Sequence, residues 1–595
     1  MTFTTRPQIT GTFGVVTSTH WIASAVGMSM LERGGNAFDA AVATALTLQV
    51  VEPHLNGPLG DMPAIFRKAG EDRPTVLCAQ GTAPAGATIA HYRAEGLDMV
   101  PGSGMLATVI PGAFDGWMLM LRDHGTLGLR EVLEPAIHYA RHGHPILANA
   151  ANGIASLADL FREEWPTSAA VWLPGGQAPK PGSLFRNPDL ADTWDRVLAE
   201  AETVSGREAR IDRARDVFYR GFVAEAIDAW VREACVMDAA GGRRKGVLTG
   251  QDMAGWSASY EAPLSVDYGD WEVFKTGPWG QGPSLLQALR LLDGTGVGEM
   301  DPNGAEFVHT VTEAIKLAFA DREAYYGDPA FNDIPMEALL SRDYADARRG
   351  LIGATASREQ RPGTVPGCEP WVQAMLDRAA AKVEEAGAGA GEPTMAHLTD
   401  RRGDTVHLDV IDAAGNMVSA TPSGGWLQSS PVVPGLGMPL NSRAQMFWLE
   451  EGRPSSLKPG ARPRTTLTPS IASLKGEPRL AFGTPGGDQQ DQWQLILFLR
   501  RVHATANLQA AIDAPLFHSF HVQGSFYPRA SRPGHLMVEP SFGEDVIADL
   551  KRRGHDVEVA APWTVGRLTA AERGEDGLLR AAATPRMMQA YAIGR

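Results

Sequence analysis

The chain reads as an α+β protein on three observations. It has 595 residues, 44% hydrophobic and 21% charged, enough to bury a large core as several domains or one big layered domain. Apolar residues recur at helical spacing around Ile22 to Val51 and Glu306 to Tyr326. After residue 404 the pattern switches to the two-residue alternation of a strand. The 65 glycines and 41 prolines add many turns and close backbone approaches.

In chain order, the first element is a helix pair. Ala, Val, Leu and Met between Ile22 and Val51 flank Arg33-Gly34-Gly35-Asn36-Ala37, so two packed helices meet at a glycine turn. Val308, Val311, Ile315 and Phe319 form one apolar stripe on a helix from about Glu306 to Tyr326. From about Ala379 to Asp404 the composition shifts to Ala, Gly, Glu and Pro, the signature of a flexible connector. Val406, Leu408 and Val410 then share one face, and Met417 to Thr421 resumes after Ala413-Ala414-Gly415-Asn416, which predicts a β-hairpin. The connector thereby delivers Thr405 to the first position of a buried strand. Leu480-Ala481-Phe482 runs into Gly483-Thr484-Pro485-Gly486-Gly487-Asp488 and the apolar-periodic Gln494 to Val502, in the order strand, turn, helix. No repeat of fixed period occurs, which disfavours solenoids and propellers.

Charge narrows the partners. The formal net charge is −15 with no block of Lys or Arg, so neither nucleic acid nor an anionic membrane surface is an expected partner. Three cysteines, Cys78, Cys235 and Cys368, build neither a disulfide framework nor a zinc cluster. His20, His54, His309 and His407 lack metal-ligand spacing, so no metal and no organic cofactor is expected. The N-terminal stretch has no basic region followed by an apolar run, and no eighteen-residue apolar stretch follows. The expectation is a soluble, cytoplasmic protein.

A threonine hydroxyl is a poor nucleophile, but at a free N-terminus its own α-amine can act as general base. Thr405 becomes such a terminus if its hydroxyl attacks the carbonyl of Asp404 and water releases the two pieces. The run Asp404-Thr405-Val406-His407-Leu408-Asp409-Val410-Ile411-Asp412, with Gly415-Asn416, resembles the processing site and hairpin of the γ-glutamyltransferase (γ-glutamyltranspeptidase) family. The family usually shows Thr-Thr-His there. The resemblance extends to Gly34-Gly35-Asn36-Ala37, Asp39-Ala40-Ala41-Val42-Ala43-Thr44-Ala45-Leu46 and Val51-Glu52-Pro53-His54. Pro111-Gly112-Ala113, Glu134-Pro135-Ala136, Glu313 to Arg322 and Gly327-Asp328-Pro329 carry it over most of the chain.

What the resemblance implies is specific. The fold would be the four-layer αββα sandwich of the N-terminal-nucleophile hydrolases; spacing alone gives only α+β. Residues 1–404 would form a large subunit and 405–595 a small one, a heterodimer that could pair again into a dimer of heterodimers. Gly486 and Gly487 would hold the oxyanion, a role that suits main-chain N–H groups at a glycine turn before a helix. Ser423 would support the nucleophile where the family usually has threonine. Thr465 and Thr466 would replace a serine pair that contacts a substrate carboxylate.

The pattern also breaks. A γ-glutamyl group presents an α-carboxylate and an α-ammonium, which call for a cation and for acceptors. Ile89 stands where γ-glutamyl enzymes carry arginine, and Arg93 is out of register. Arg443 aligns with the usual ammonium-binding glutamine, Met446 with an aspartate and Gly425 with an asparagine. A fixed cation repels an ammonium, and a thioether does not replace the carboxylate that would pair with it. The expected substrate is therefore a small-molecule amide whose acyl group lacks the α-ammonium, oxamate-like or glutaryl-like, with Arg443 clamping a carboxylate or ketone oxygen. Trp21, Trp426 and Trp448 are core residues or walls of that pocket. The alternatives are a true γ-glutamyltransferase or glutathione hydrolase, and an unprocessed homologue that only binds. Hydrolysis and transfer to an amine acceptor are not separated by sequence.

Overall fold

The computed structural model of the protein describes residues 3–380, 405–588 and 590–595. Two seven-stranded sheets, antiparallel at every pairing, form its centre. One runs Tyr591–Gly594, Gly14–Ser18, Leu408–Asp412, Met417–Ala420, Met62–Arg67, Thr75–Ala79, Ser259–Glu261. The other runs Ile9–Gly11, Leu579–Ala583, Thr569–Arg573, Glu477–Gly483, Ser470–Leu474, Trp271–Lys275, Leu264–Tyr268.

Side-chain alternation sorts each strand between two cores. Val15, Ile65, Val76, Ile411 and Met417 meet Phe274, Ile471, Ala481 and Ala571 between the sheets. On the outer face of the first sheet, Val16, Leu408, Val410 and Val418 pack with the helices Trp21–Glu32 and Ala37–Val51. Val273, Ala472, Leu480 and Phe482 of the second pack with Pro283–Leu292, Ala305–Tyr325 and Gln490–His503. Helix, sheet, sheet, helix is the four-layer sandwich that the resemblance implied.

The sequence-based elements are found with small shifts. The glycine turn joins Trp21–Glu32 to Ala37–Val51 through Gly34 at φ 91°, and Asn36 with Asp39 forms a capping box on the second helix. The second predicted helix is Ala305–Tyr325. The hairpin pairs Leu408 with Ala420 and Val410 with Val418, but its strand starts at Leu408 rather than Thr405. Thr405 is held one step out, by an isolated bridge to Ser423, because Pro422 has no N–H to continue the ladder and only accepts, from Val406 N at 3.1 Å. Residues 379–380 end the helix Glu369–Ala380; the rest of the expected connector, with Asp404, lies outside the described residues.

Candidate active site

Alternation places Thr405, His407 and Asp409 on the face of their segment that looks into the space between the sheets, as it does Ile411. Thr405 is fully buried and its Oγ1 lies 3.2 Å from Ser423 Oγ. Behind it runs a buried polar chain. His407 Nδ1 is 2.9 Å from Thr421 Oγ1, and His407 Nε2 is 2.9 Å from Asp409 Oδ1. Asp409 Oδ2 accepts from Thr17 at 3.1 Å and, across the sandwich, from Thr569 at 2.8 Å. The imidazole also lies flat against Gly483, where an added Cβ would sit 2.1 Å from His407 Cε1. His407 thus sets the spacing between the Thr405 segment and the strand that leads to the glycine turn.

That strand, Glu477–Gly483, enters the turn, and Gly486 (φ 126°) and Gly487 (φ 59°) both adopt left-handed backbone. A Cβ on Gly486 would meet Trp493 at 2.3 Å, so glycine is required by conformation and by space. The helix Gln490–His503 follows. The turn thus opens onto the start of a helix, where main-chain N–H groups are the kind of donor an oxyanion needs.

A buried network, invisible in the sequence, fixes this turn. Arg322 Nη1 donates to Asp488 Oδ1 at 2.6 Å and to Gln281 Oε1 at 2.7 Å, while Gln281 Nε2 donates to Gly487 O at 3.2 Å. Ser525 N and Oγ donate to Asp488 at 2.9 and 2.5 Å. Burial raises the Asp488 carboxyl, but Arg322, Arg464 and Ser525 outweigh it and hold it below the ordinary carboxylate range. Thr465 adjoins the same region, its N donating to Trp279 O at 2.8 Å in a bridge beside Gly280. Thr466 is fully buried, and its Oγ1 has no hydrogen-bond partner among the described residues.

Arg443 does not stand alone as a cation. Its Nε is 2.8 Å from Asp61 Oδ2 and its Nη2 donates to Asp61 Oδ1 at 3.3 Å, with both side chains at most 1% exposed. Nη1 meets the thioether of Met446 at 3.8 Å, and the guanidinium lies 5.5 Å from the centre of the Trp426 ring. Burial raises the Asp61 carboxyl above its usual range and Arg443 offsets only part of that. Asp61 in turn exchanges main-chain hydrogen bonds with Ser423, N to O at 2.8 Å and O from N at 3.0 Å. The ion pair therefore adjoins the hydroxyl that touches Thr405. A charged residue directly before the apolar strand Met62–Arg67 was the available signal for Asp61.

Two other expectations resolve geometrically. Gly425 (φ 64°) packs its backbone on the Gly57–Gly60 turn; a Cβ would lie 2.9 Å from Gly60 N, so the position has no room for a side chain. Arg93 is 42% exposed and paired with Asp98. Its other hydrogen bonds go to Leu97 O and Leu449 O, so it supplies no substitute for the arginine missing at Ile89. His309, Glu313 and His555 come within 4.8 Å of one another. His309 bridges His555 and Gly353 O while Glu313 pairs with Lys316 and Arg361, so the carboxylate and the His309 ring are already engaged by neighbouring groups. No helix among the described residues is long and apolar enough to cross a membrane.

Known proteins share this architecture. The acylase ACY 1 proenzyme of Pseudomonas sp. (strain V22) is 32% identical over 97% of this chain and 93% of its own. The oxamate amidohydrolase proenzyme of Klebsiella pneumoniae subsp. pneumoniae is 31% identical over 98% of both. The solved structure of LmbA2991HD superposes with a TM-score of 0.92 at 52% identity, covering 100% of each chain. The family model for gamma-glutamyltranspeptidase matches residues 23–594, and the chain belongs to that family of hydrolase and acyltransferase enzymes.

Proposed function

We propose that the protein is a self-processing amidohydrolase in which cleavage after Asp404 frees Thr405 as an N-terminal nucleophile. The products are chains 1–404 and 405–595, held together as a heterodimer by the strands they share in both sheets. Its acyl substrate carries an acidic group and lacks the α-ammonium of glutamate, as an oxamate or a glutaryl amide does. The observation that carries this reading is the junction of Thr405, Ser423 and the buried Asp61–Arg443 pair on adjoining segments. Relatives named as an acylase and an oxamate amidohydrolase support it.

In the reaction, Thr405 Oγ attacks the amide carbonyl while the α-amine of Thr405 takes the hydroxyl proton. Gly486 and Gly487 N–H groups receive the developing oxyanion, and each such donor contributes about 3 to 4 kcal/mol of transition-state stabilisation. The ammonium then gives its proton to the departing amine, leaving an ester on Thr405. Water, deprotonated by the same amine, hydrolyses that ester and releases the acid. Arg443 holds the acyl group's carboxylate, and the Thr466 hydroxyl offers a further hydrogen bond to it.

Intact-mass measurement of wild type and Thr405→Ala, followed by a panel of glutaryl, γ-glutamyl and oxamate amides, tests the proposal. The expected result is a small fragment beginning at Thr405 in the wild type only, with turnover of the acidic amides that lack an ammonium. An active single chain, a fragment starting elsewhere, or ready turnover of the γ-glutamyl amide defeats it. The last outcome would favour a glutathione hydrolase instead.

A further inference from the structure

The Asp61 carboxylate is wholly buried. Arg443 covers one edge, and a Cβ on Gly424 would lie 2.6 Å from Asp61 Oδ1, so only glycine admits the carboxylate there. Asn441 fixes the neighbouring segments. Its Nδ2 donates to Leu59 O and Val109 O, each at 2.9 Å, and its Oδ1 accepts from Val109 N at 3.0 Å and Arg443 N at 3.2 Å. Arg443 and Asp61 are thereby held as a rigid pair, with the Met446 thioether 3.8 Å from Nη1.

Such a pair is neutral as a unit, and its selectivity depends on which member meets the ligand. With Arg443 in front, a carboxylate finds a charge-assisted donor and an ammonium is repelled. Without the guanidinium, the same position would present an uncompensated buried carboxylate, whose cost is relieved by a cation. We propose that Asp61 and Arg443 together determine which charge the acyl pocket accepts, Arg443 selecting an anionic group and Asp61 serving as a latent acceptor for an ammonium. This rests on the acyl-enzyme reading above and assigns Asp61 a specificity role.

Glutaryl anilide and γ-glutamyl anilide differ only in the α-ammonium, so the ratio of their kcat/KM values isolates the effect and cancels the fraction of enzyme that has folded and matured. The comparison uses the full-length matured wild type, Arg443→Lys, Arg443→Gln and the double variant Asp61→Asn with Arg443→Gln. Wild type and Arg443→Lys should prefer the glutaryl substrate. Arg443→Gln should shift the ratio toward γ-glutamyl by about tenfold or more, and adding Asp61→Asn should abolish that shift. A ratio in Arg443→Gln equal to wild type, or a shift that survives in the double variant, overturns the proposal. A wild type that favours γ-glutamyl anilide instead refutes the acyl reading and removes the pair's role with it, whereas one that hydrolyses oxamate but leaves both anilides intact keeps that reading and overturns the pair's role.

Discussion

A hydroxyl 3.2 Å from another hydroxyl gains little nucleophilicity from that contact alone, so in the proposed reaction Ser423 would act on Thr405 by orientation. Ser423→Ala should leave the bridge of main-chain atoms intact and remove one hydrogen bond to the proposed nucleophile. A loss of about 1.5 to 3 kcal/mol would slow kcat roughly tenfold to a hundredfold. Ser423→Thr should restore most of it, since the hydroxyl returns. Steady-state kinetics on a glutaryl amide reads this, and an alanine variant with unchanged kcat would show the contact to be incidental. The contact between Thr405 and Ser423 was foreseeable because the family resemblance places both, eighteen residues apart across one hairpin. Asp61 was not, because its partner lies 382 residues away and composition gives no means of pairing distant charges. The sequence therefore offered Arg443 as a fixed cation without naming a counter-ion, and the structure supplies one in buried Asp61.

At the level of elements, the glycine turn is only as rigid as what surrounds it. Asp488 ties the turn to Arg322 on the helix Ala305–Tyr325 and to Ser525. Asp488→Asn would leave Arg322 its ion pair with Glu323 at 2.9 Å but remove the charge that anchors the turn. Breaking a buried pair typically costs about 3 to 5 kcal/mol. The expected outcome is a lower thermal midpoint, together with a fall in kcat exceeding the change in KM, because the proposed oxyanion contact would be made in the transition state. An equal rise in KM with kcat preserved would place the residue in substrate binding instead. The order strand, turn, helix could be read from residues 480 to 502, since each part is local. The network behind the turn could not, because Gln281, Arg322 and Ser525 reach it from three separate stretches. The hairpin shows the same limit more finely: its periodicity was visible, while the offset of Thr405 arises from a single missing N–H at Pro422.

Across the whole molecule, strands from both chain ends meet the middle of the sequence. Gly14–Ser18 lies between Leu408–Asp412 and Tyr591–Gly594, a pairing that no local pattern encodes, which is why periodicity yielded α+β and family resemblance was needed for the layers. The same burial that closes these layers makes the fold sensitive to acid. Burial, the largest cause, lowers His54 to about 3, with Arg567 adding to it, and lowers His20 to about 3, with His144 and His54 adding. His20 Nδ1 accepts from Ile22 N at 3.1 Å and so caps the helix Trp21–Glu32 only while that nitrogen is unprotonated. Both rings are thus neutral when folded, whereas in the unfolded chain they titrate near the ordinary 6.5. Below that value the unfolded state binds protons that the folded state refuses, so stability is complete above pH 6.5 and declines as pH falls toward 3. At about pH 5 each ring should remove about 2 kcal/mol. Thermal midpoints should therefore drop between about pH 7 and pH 5, and His54→Gln, which cannot titrate, should show a shallower decline. A midpoint independent of pH across that interval, or a His54→Gln slope equal to wild type, would mean that these rings take up protons within the folded protein at little cost.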